Sequence, residues 1–185
     1  MHEEILIAGF GGQGVILAGK LLCQAAIVDG KQVVCSVSYG PEMRGGTANS
    51  GVIISDHPIG ALMVSRPTIA ILMNEPSMVK FEPLVRGGGL LLVNQSLVSS
   101  RSQRKDIRTL YVPAADLAVQ LGNKDVANVV IIGALLGLKP VVTIAAVRDA
   151  LKKALSRKHP EALAVDEKAL QAGLDYVDTA PNGFS

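Results

Sequence analysis

Three glycines near the start of the chain, Gly9, Gly11 and Gly14, stand at the spacing G-x-G-x-x-G. The chemistry such a spacing can do is anion binding by backbone. The first glycine permits a tight turn, the second lets the main chain approach a phosphate, and the third lets a helix and a strand pack closely. The first N–H groups of the helix then point at the anion, and the helix end adds roughly half a positive charge. The same glycines could also make a turn that only packs, so the flanking residues have to decide.

Those flanks fit the binding case. Ile5 to Ala8 is a short apolar run of the kind that makes a buried strand, and from Val15 the chain continues without a breaker, as a helix would. Asp29-Gly30 ends that helix, and residues 31–38 read as a second strand. Strand, helix and strand in this length form a βαβ unit, which predicts two parallel strands. A Gly- and Pro-rich loop, Tyr39 to Gly46, follows, then strand-like Thr47 to Ser55. Asp56-His57-Pro58 reads as a turn that could close a hairpin with a short segment after it. Buried strands are expected at Pro67 to Met73 and Leu90 to Asn94, with a short helix between them interrupted at Pro83, and a brief strand at Thr109 to Val112. Beyond Pro113, placed to open a helix, the pattern is helical: Asp125 to Leu138, Thr143 to Lys158 with Thr143 as N-cap, and Asp166 to Tyr176. The expected fold is therefore α/β: a Rossmann-like, mostly parallel sheet with helices on both faces and a helical C-terminal part, in a single domain over residues 1–185.

The end of the second strand narrows the ligand. A nicotinamide or flavin dinucleotide site places Asp or Glu there to hold ribose hydroxyls. Here the strand ends Ser36-Val37-Ser38, and the nearest carboxylate, Glu42, lies beyond a Gly-Pro turn. What arrives instead is Arg44. A guanidinium beside a helix N-terminus suits a ligand with extra phosphate, such as coenzyme A or NADP; alternatively Arg44 pairs with Glu42 or with a carboxylate of another subunit.

No catalytic constellation is legible. His2, His57 and His159 stand apart from any nucleophile or carboxylate at informative spacing. Two cysteines, Cys23 and Cys35, do not form Cys-x-x-Cys, which argues against an iron–sulfur or zinc site built by this chain and suits a reducing cytoplasm. A net charge of +2 with no Trp argues against a nucleic-acid surface. The most apolar helix candidate, Val126 to Leu138, is too short to span a bilayer, and Glu3 and Glu4 occupy the place of a signal peptide's basic segment. The expectation is a cytoplasmic protein with neither nucleic acid nor membrane as partner. The apolar fraction is 49% and well under half of the charged residues fall in positions 1–98, so part of that half is expected to be covered by another chain. Arg148, Lys152, Lys153, Arg157 and Lys158 read as a solvated helix face, and Gly133 and Gly137 as points of close helix packing.

Two motifs together carry a family resemblance: Gly9-Phe-Gly-Gly-Gln-Gly-Val, and Ser38-Tyr-Gly-Pro-Glu-Met-Arg-Gly-Gly with the following Ser50-Gly-Val-Ile-Ile-Ser. With Asn128 to Gly137 they resemble the gamma subunit of 2-oxoacid:ferredoxin oxidoreductases, over nearly the whole chain. The resemblance is nearest the 2-oxoglutarate enzymes, with pyruvate, branched-chain and indolepyruvate relatives as alternatives. It implies a complex that decarboxylates a 2-oxoacid on thiamine diphosphate, sends electrons through iron–sulfur clusters to ferredoxin, and captures the acyl group on coenzyme A. Thiamine diphosphate and the clusters would belong to the alpha, beta and ferredoxin-like delta subunits. This chain would be a non-catalytic subunit that holds coenzyme A. Carried over by position, Gly9, Gly11, Gly12, Gln13, Gly14 and Val15 would hold the phosphates of its nucleotide end, flanked by Ser38, Arg44, Gly45 and Gly46. Two rival readings are a structural subunit without ligand and a stand-alone NAD(P)-dependent oxidoreductase.

Overall fold

The computed structural model describes residues 1–40, 47–155 and 160–179. In chain order its elements are β1 (His2–Phe10), α1 (Val15–Val28), β2 (Gln32–Tyr39), β3 (Thr47–Ser55), β4 (Ile69–Leu72), α2 (Glu75–Phe81), β5 (Leu90–Asn94), β6 (Arg108–Val112), α3 (Ala114–Gln120), α4 (Ala127–Leu138), α5 (Ile144–Leu155) and α6 (Pro160–Thr179), with 3₁₀ turns at Glu82–Leu84 and Lys124–Val126. The strands form one six-stranded sheet in the order β2-β3-β1-β4-β5-β6.

Five strands run the same way, as expected, and β3 alone runs against them. The βαβ expectation needs correction on one point. β1 and β2 are parallel in direction but not neighbours, because β3 lies between them and pairs antiparallel with both, Ile5 opposite Val52 and Cys35 opposite Val52 on its other side. The reason is burial. β2 and β3 are joined by too short a loop for a crossover, so they can pair only antiparallel. Of the two, β3 carries Val52, Ile53 and Ile54, all buried, whereas β2 is largely exposed; the more apolar strand takes the interior place and β2 the edge. The hairpin expected after Asp56-His57-Pro58 does not form, and the chain stays irregular until β4 at Ile69.

Side-chain alternation along the strands sorts the core into two layers. Ile5, Ile7, Ile69, Ile71, Leu92 and Leu110 face α1 and the C-terminal helices. Leu6, Ala8, Ala70, Leu72, Leu91 and Val93 face α2, where Met78 and Phe81 close the second layer. Helices thus lie on both faces, unequally: the C-terminal helical part sits on the same side as α1. There α4 is apolar all round and packs along α6. Gly133 and Gly173 make that approach possible, since a Cβ on either would collide with the backbone of the other helix, Gly133 with the Leu170 carbonyl and Gly173 with that of Val130. The close-packing role expected of Gly133 and Gly137 is therefore met within the chain, Gly137 lying against Val177. Thr143 caps α5 as its sequence suggested, its hydroxyl accepting from Ala146 N–H at 3.2 Å.

Candidate functional site

The chain leaves β1 to one side of the sheet, for β2 and β3, and later returns to the other, for β4, β5 and β6. The switch in strand order falls between β1 and β4, and the glycine turn sits on the C-terminal edge there, the place where open α/β sheets bind ligands.

The turn uses its glycines differently from the simple motif. Gly9 is buried beneath the turn with no unusual φ, because a Cβ there would press on Gln13 and on Met73 at 2.9 Å. Gly11 is exposed. The residue that requires glycine for the bend is Gly12, with φ +96 and open space all around its would-be Cβ. Gly14 is the N-cap position of α1 at φ +72, and its close neighbour is not a strand: a Cβ would stand 2.5 Å from Asn128 Nδ2, on α4. Asn128 donates from that nitrogen to the Gly14 carbonyl at 3.1 Å.

Gln13 serves the turn rather than facing outward. Its carboxamide oxygen accepts from Phe10 N–H at 2.6 Å and from Asn74 Nδ2 at 3.2 Å, and its nitrogen donates to the Met73 carbonyl at 3.2 Å. One side chain thereby ties the end of β1 to the end of β4. Asn74 in turn caps α2 by accepting from Ser77 N–H at 2.9 Å. The Val15 side chain is buried in the core, so only its backbone can serve a ligand. No side chain caps α1, which leaves its first-turn amides to solvent or to a guest.

Two cavities open on either side of this turn and share Gly12. One, of about 290 Å³, lies toward β4 and β5 and is lined by Gln13, Met73, Asn94, Leu97, Ala115, Lys124, Asp125 and Ala127. The other, of about 330 Å³, lies toward β2 and β3 and is lined by Phe10, Gly11, Gly14, Val15, Ile16, Leu17, Tyr39 and Ala48. Of the residues expected to flank the phosphates, Arg44, Gly45 and Gly46 lie outside the described residues. Ser38 lines neither cavity. It is exposed on the edge strand, and alternation turns it to the face opposite Tyr39, with β3 between it and β1. The end of β2 presents Tyr39 and Gly40 and no carboxylate.

Sequence reading missed Tyr39, Asn94 and Asn128. A signal existed for the second: Asn94 is a polar residue closing a buried parallel strand, on the edge where ligands bind. Asn128 had none, since nothing local says that α4 crosses under the turn. Among the described residues no group of three or more His, Cys, Asp or Glu is placed to hold a metal ion, and no helix is long and apolar enough to cross a membrane.

Comparison with known proteins bears on this geometry. Residues 4–176 match the family model described as pyruvate ferredoxin/flavodoxin oxidoreductase. The chain is 37% identical over 175 residues to the 2-oxoglutarate synthase subunit KorC of Methanocaldococcus jannaschii, covering 93% of this chain and 90% of that protein. It is 35% identical over 174 residues to the ketoisovalerate oxidoreductase subunit VorA of Methanothermobacter marburgensis, but spans only 36% of that longer protein. Among solved structures, the gamma subunit of a keto/oxoacid ferredoxin oxidoreductase from Geobacter sulfurreducens superposes with TM-score 0.83 at 36% identity, covering 97% of this chain and 98% of that one. A 2-oxoglutarate:ferredoxin oxidoreductase from Magnetococcus marinus, solved with 2-oxoglutarate, coenzyme A and succinyl-CoA bound, shares the fold at TM-score 0.89 and 19% identity, this chain spanning 32% of it. The chain belongs to the pyruvate ferredoxin/flavodoxin oxidoreductase family and is a gamma subunit of a 2-oxoacid:ferredoxin oxidoreductase.

Proposed function

We propose that this subunit holds coenzyme A for a cytoplasmic complex that oxidatively decarboxylates a 2-oxoacid, 2-oxoglutarate first among the candidates, to an acyl-CoA. The observation that carries the reading is the bared turn: Gly12 is exposed with open space around its would-be Cβ, and a cavity opens to each side. An anionic centre over Gly12 with a non-phosphate group in each direction is the shape of a nucleotide with a long tail. Arg44, Gly45 and Gly46, carried over from the family resemblance, complete the phosphate contacts in this proposal.

Coenzyme A supplies the thiol that accepts the acyl group. This chain's part is positional. The turn amides neutralise and orient the phosphates, and the stapled Gln13 keeps the turn rigid, so that the thiol is delivered at high effective concentration to a neighbouring subunit. Thiamine diphosphate and the iron–sulfur clusters fall to alpha, beta and delta partners, with ferredoxin as acceptor, because two cysteines cannot furnish a cluster's four thiolates. Exposed Leu17, Tyr39, Leu62 and Met63 supply apolar surface for such partners.

The test is calorimetry of coenzyme A binding to the purified complex. Arg44→Ala weakens binding by about 1–3 kcal/mol, as loss of one charge-assisted hydrogen bond does. Unchanged affinity in that variant removes Arg44 from the site, and no binding by the complex leaves the ligand-free structural reading in its place. Tight NADH binding by the isolated chain would revive the dehydrogenase reading, which the missing carboxylate at the end of β2 opposes. Turnover of the complex on 2-oxoglutarate, pyruvate and branched-chain 2-oxoacids identifies the substrate.

A further inference from the structure

The fold brings the chain's two cysteines face to face. Along β2, Val33 packs into the core beneath α1, and Tyr39 lines a cavity together with Leu17 of α1. Alternation therefore turns Cys35, which stands between them, to the same side. On α1, Gly19 and Cys23 lie one turn apart on one stripe. A disulfide needs Cβ atoms about 4 Å apart, so the helix must lie low on the sheet at this point. Gly19 lets it do so. A Cβ there would collide with Ser50 Oγ and stand 3.5 Å from Val52 Cγ2, and Val52 is the β3 residue opposite Cys35. Cys23 follows one turn on, buried, with its thiol in hydrogen-bonding reach of the exposed Cys35 thiol.

The two sulfurs differ in what can reach them. Cys35 meets solvent. Cys23 does not, and burial first, then the neighbouring Cys35 thiol, hold its proton on well above the ordinary thiol range. An oxidant arriving from solvent meets Cys35, and the product it leaves there touches a second sulfur that is already in place.

We propose that Cys35 and Cys23 form a reversible oxidation site, in which Cys35 reacts with a hydroperoxide and Cys23 resolves the product into a disulfide between β2 and α1. The Cys35 thiolate attacks one peroxide oxygen: an S–O bond forms, the O–O bond breaks, and the departing hydroxide takes a proton to become water. Cys35 is then a sulfenic acid, oxidised by two electrons, and the peroxide is reduced by two. The Cys23 sulfur attacks Cys35 Sγ, the S–S bond forms as the S–O bond breaks, and hydroxide leaves with the Cys23 proton as a second water. Oxidation halts there instead of climbing to sulfinic acid, which thiols cannot reverse, and exchange with a reduced thiol restores both side chains. None of this chemistry depends on the ligand of the glycine turn.

The chain has only these two cysteines, so the full-length subunit suffices for the test. The reduced protein is treated with hydrogen peroxide, with and without dimedone, then unfolded, alkylated with iodoacetamide and weighed by mass spectrometry. The expected product has lost two hydrogens, takes up no alkyl group, and takes up two after dithiothreitol. Lys31 lies between the cysteines, so trypsin separates their peptides, and the non-reduced digest should hold them joined. Cys23→Ala abolishes the disulfide and leaves Cys35 as a dimedone adduct, or as sulfinic acid where dimedone is omitted. Cys35→Ser leaves Cys23 unoxidised at the same dose and serves if the alanine variant does not fold. Wild-type Cys35 trapped by dimedone with no joined peptides, subunits cross-linked in pairs through Cys35, oxidation of Cys23 in the Cys35→Ser variant, or a wild-type chain that peroxide leaves reduced each overturns the proposal.

Discussion

Replacing Gly14 by Ala probes the turn at the point where conformation and packing coincide. Two separable costs are expected. An L residue at φ +72 sits in the left-handed region, at a cost of roughly 1–2 kcal/mol. The new methyl stands 2.5 Å from Asn128 Nδ2, so Asn128 must move and give up its bond to the Gly14 carbonyl, about another 1–2 kcal/mol. The sum is about 2–4 kcal/mol, or a Tm lower by roughly 5–15 °C in a chain of this size. Gly12→Ala serves as the control, because φ +96 is equally unfavourable but nothing lies near its Cβ; about 1–2 kcal/mol is expected there. Urea unfolding of both variants measures the difference. Asn128→Ala separates the terms further. The Gly14 carbonyl still receives Ala18 N–H at 2.9 Å, so the single variant costs little, and in its background Gly14→Ala should lose the conformational term and only the residual tight contact with the Cβ at position 128, 3.2 Å away. A coupling of at least about 1 kcal/mol in that double-mutant cycle is predicted. Strict additivity, or equal costs for the Gly12 and Gly14 variants, refutes the account of Gly14 as the contact between turn and α4.

Gln13→Ala removes three hydrogen bonds, two of them partly buried and the one from Phe10 N–H exposed, and should cost about 2–3 kcal/mol in urea unfolding, with loss of the amide protection of Phe10 in hydrogen exchange. Gly173→Ala should cost about 3 kcal/mol, since its methyl collides with the Val130 carbonyl and two helices must part to admit it; a neutral result would deny the α4–α6 packing. Iodoacetamide at pH 8 should modify one thiol of the folded chain, the exposed Cys35. Burial first, and then the neighbouring Cys35 thiol, push the Cys23 thiol well above its ordinary value, and only unfolding should release it. Burial raises the Asp166 carboxyl to about 6 in the folded chain, above its ordinary 3.8. The folded state therefore binds the proton more tightly than the unfolded one, so this residue's contribution is most favourable below pH 4 and is lost as pH rises to about 6. Asp166→Asn should remove that slope from a series of Tm measurements between pH 4 and 7, and an unchanged slope would place its origin elsewhere.

The strands were legible because their signal is local. Leu90 to Val93 is an uninterrupted apolar run closed by Asn94, and no alternative element suits so short a stretch between Gly89 and a polar connection. Thr143 announced its helix in the same way. What could not be read is which strand lies beside which. Residues 31–38 and 47–55 both look like strands, and only the competition for the interior, won by Val52, Ile53 and Ile54, inserts β3 between β1 and β2. The site divides along the same line. The bend at Gly9 to Val15 follows from glycine spacing, but the partition of roles does not. Gly9 is glycine because of Met73, and Gly14 because of Asn128, more than a hundred residues away. Neither neighbour can be inferred from the motif.

That partition bears on how an uncapped helix start should be interpreted. Ser, Thr, Asp or Asn at the position before α1 would stabilise the helix by about 1 kcal/mol through a side-chain hydrogen bond. Gly14 gives that up, which invites the conclusion that the amides are kept open for an anion. The contact with Asn128 supplies a sufficient reason of its own, since any side chain at that position would strike α4. The missing cap is thus weak testimony for a ligand. Gly12 is stronger testimony, because no neighbour forbids a side chain there and the exposed, positive-φ residue is nonetheless glycine, at the seam of two cavities. A bulky residue grafted at Gly12 should therefore abolish nucleotide binding, for no more stability than its φ demands, while the Gly14 variant loses stability first. If the two variants fail in the opposite order, the anion lies over α1 and not over the turn.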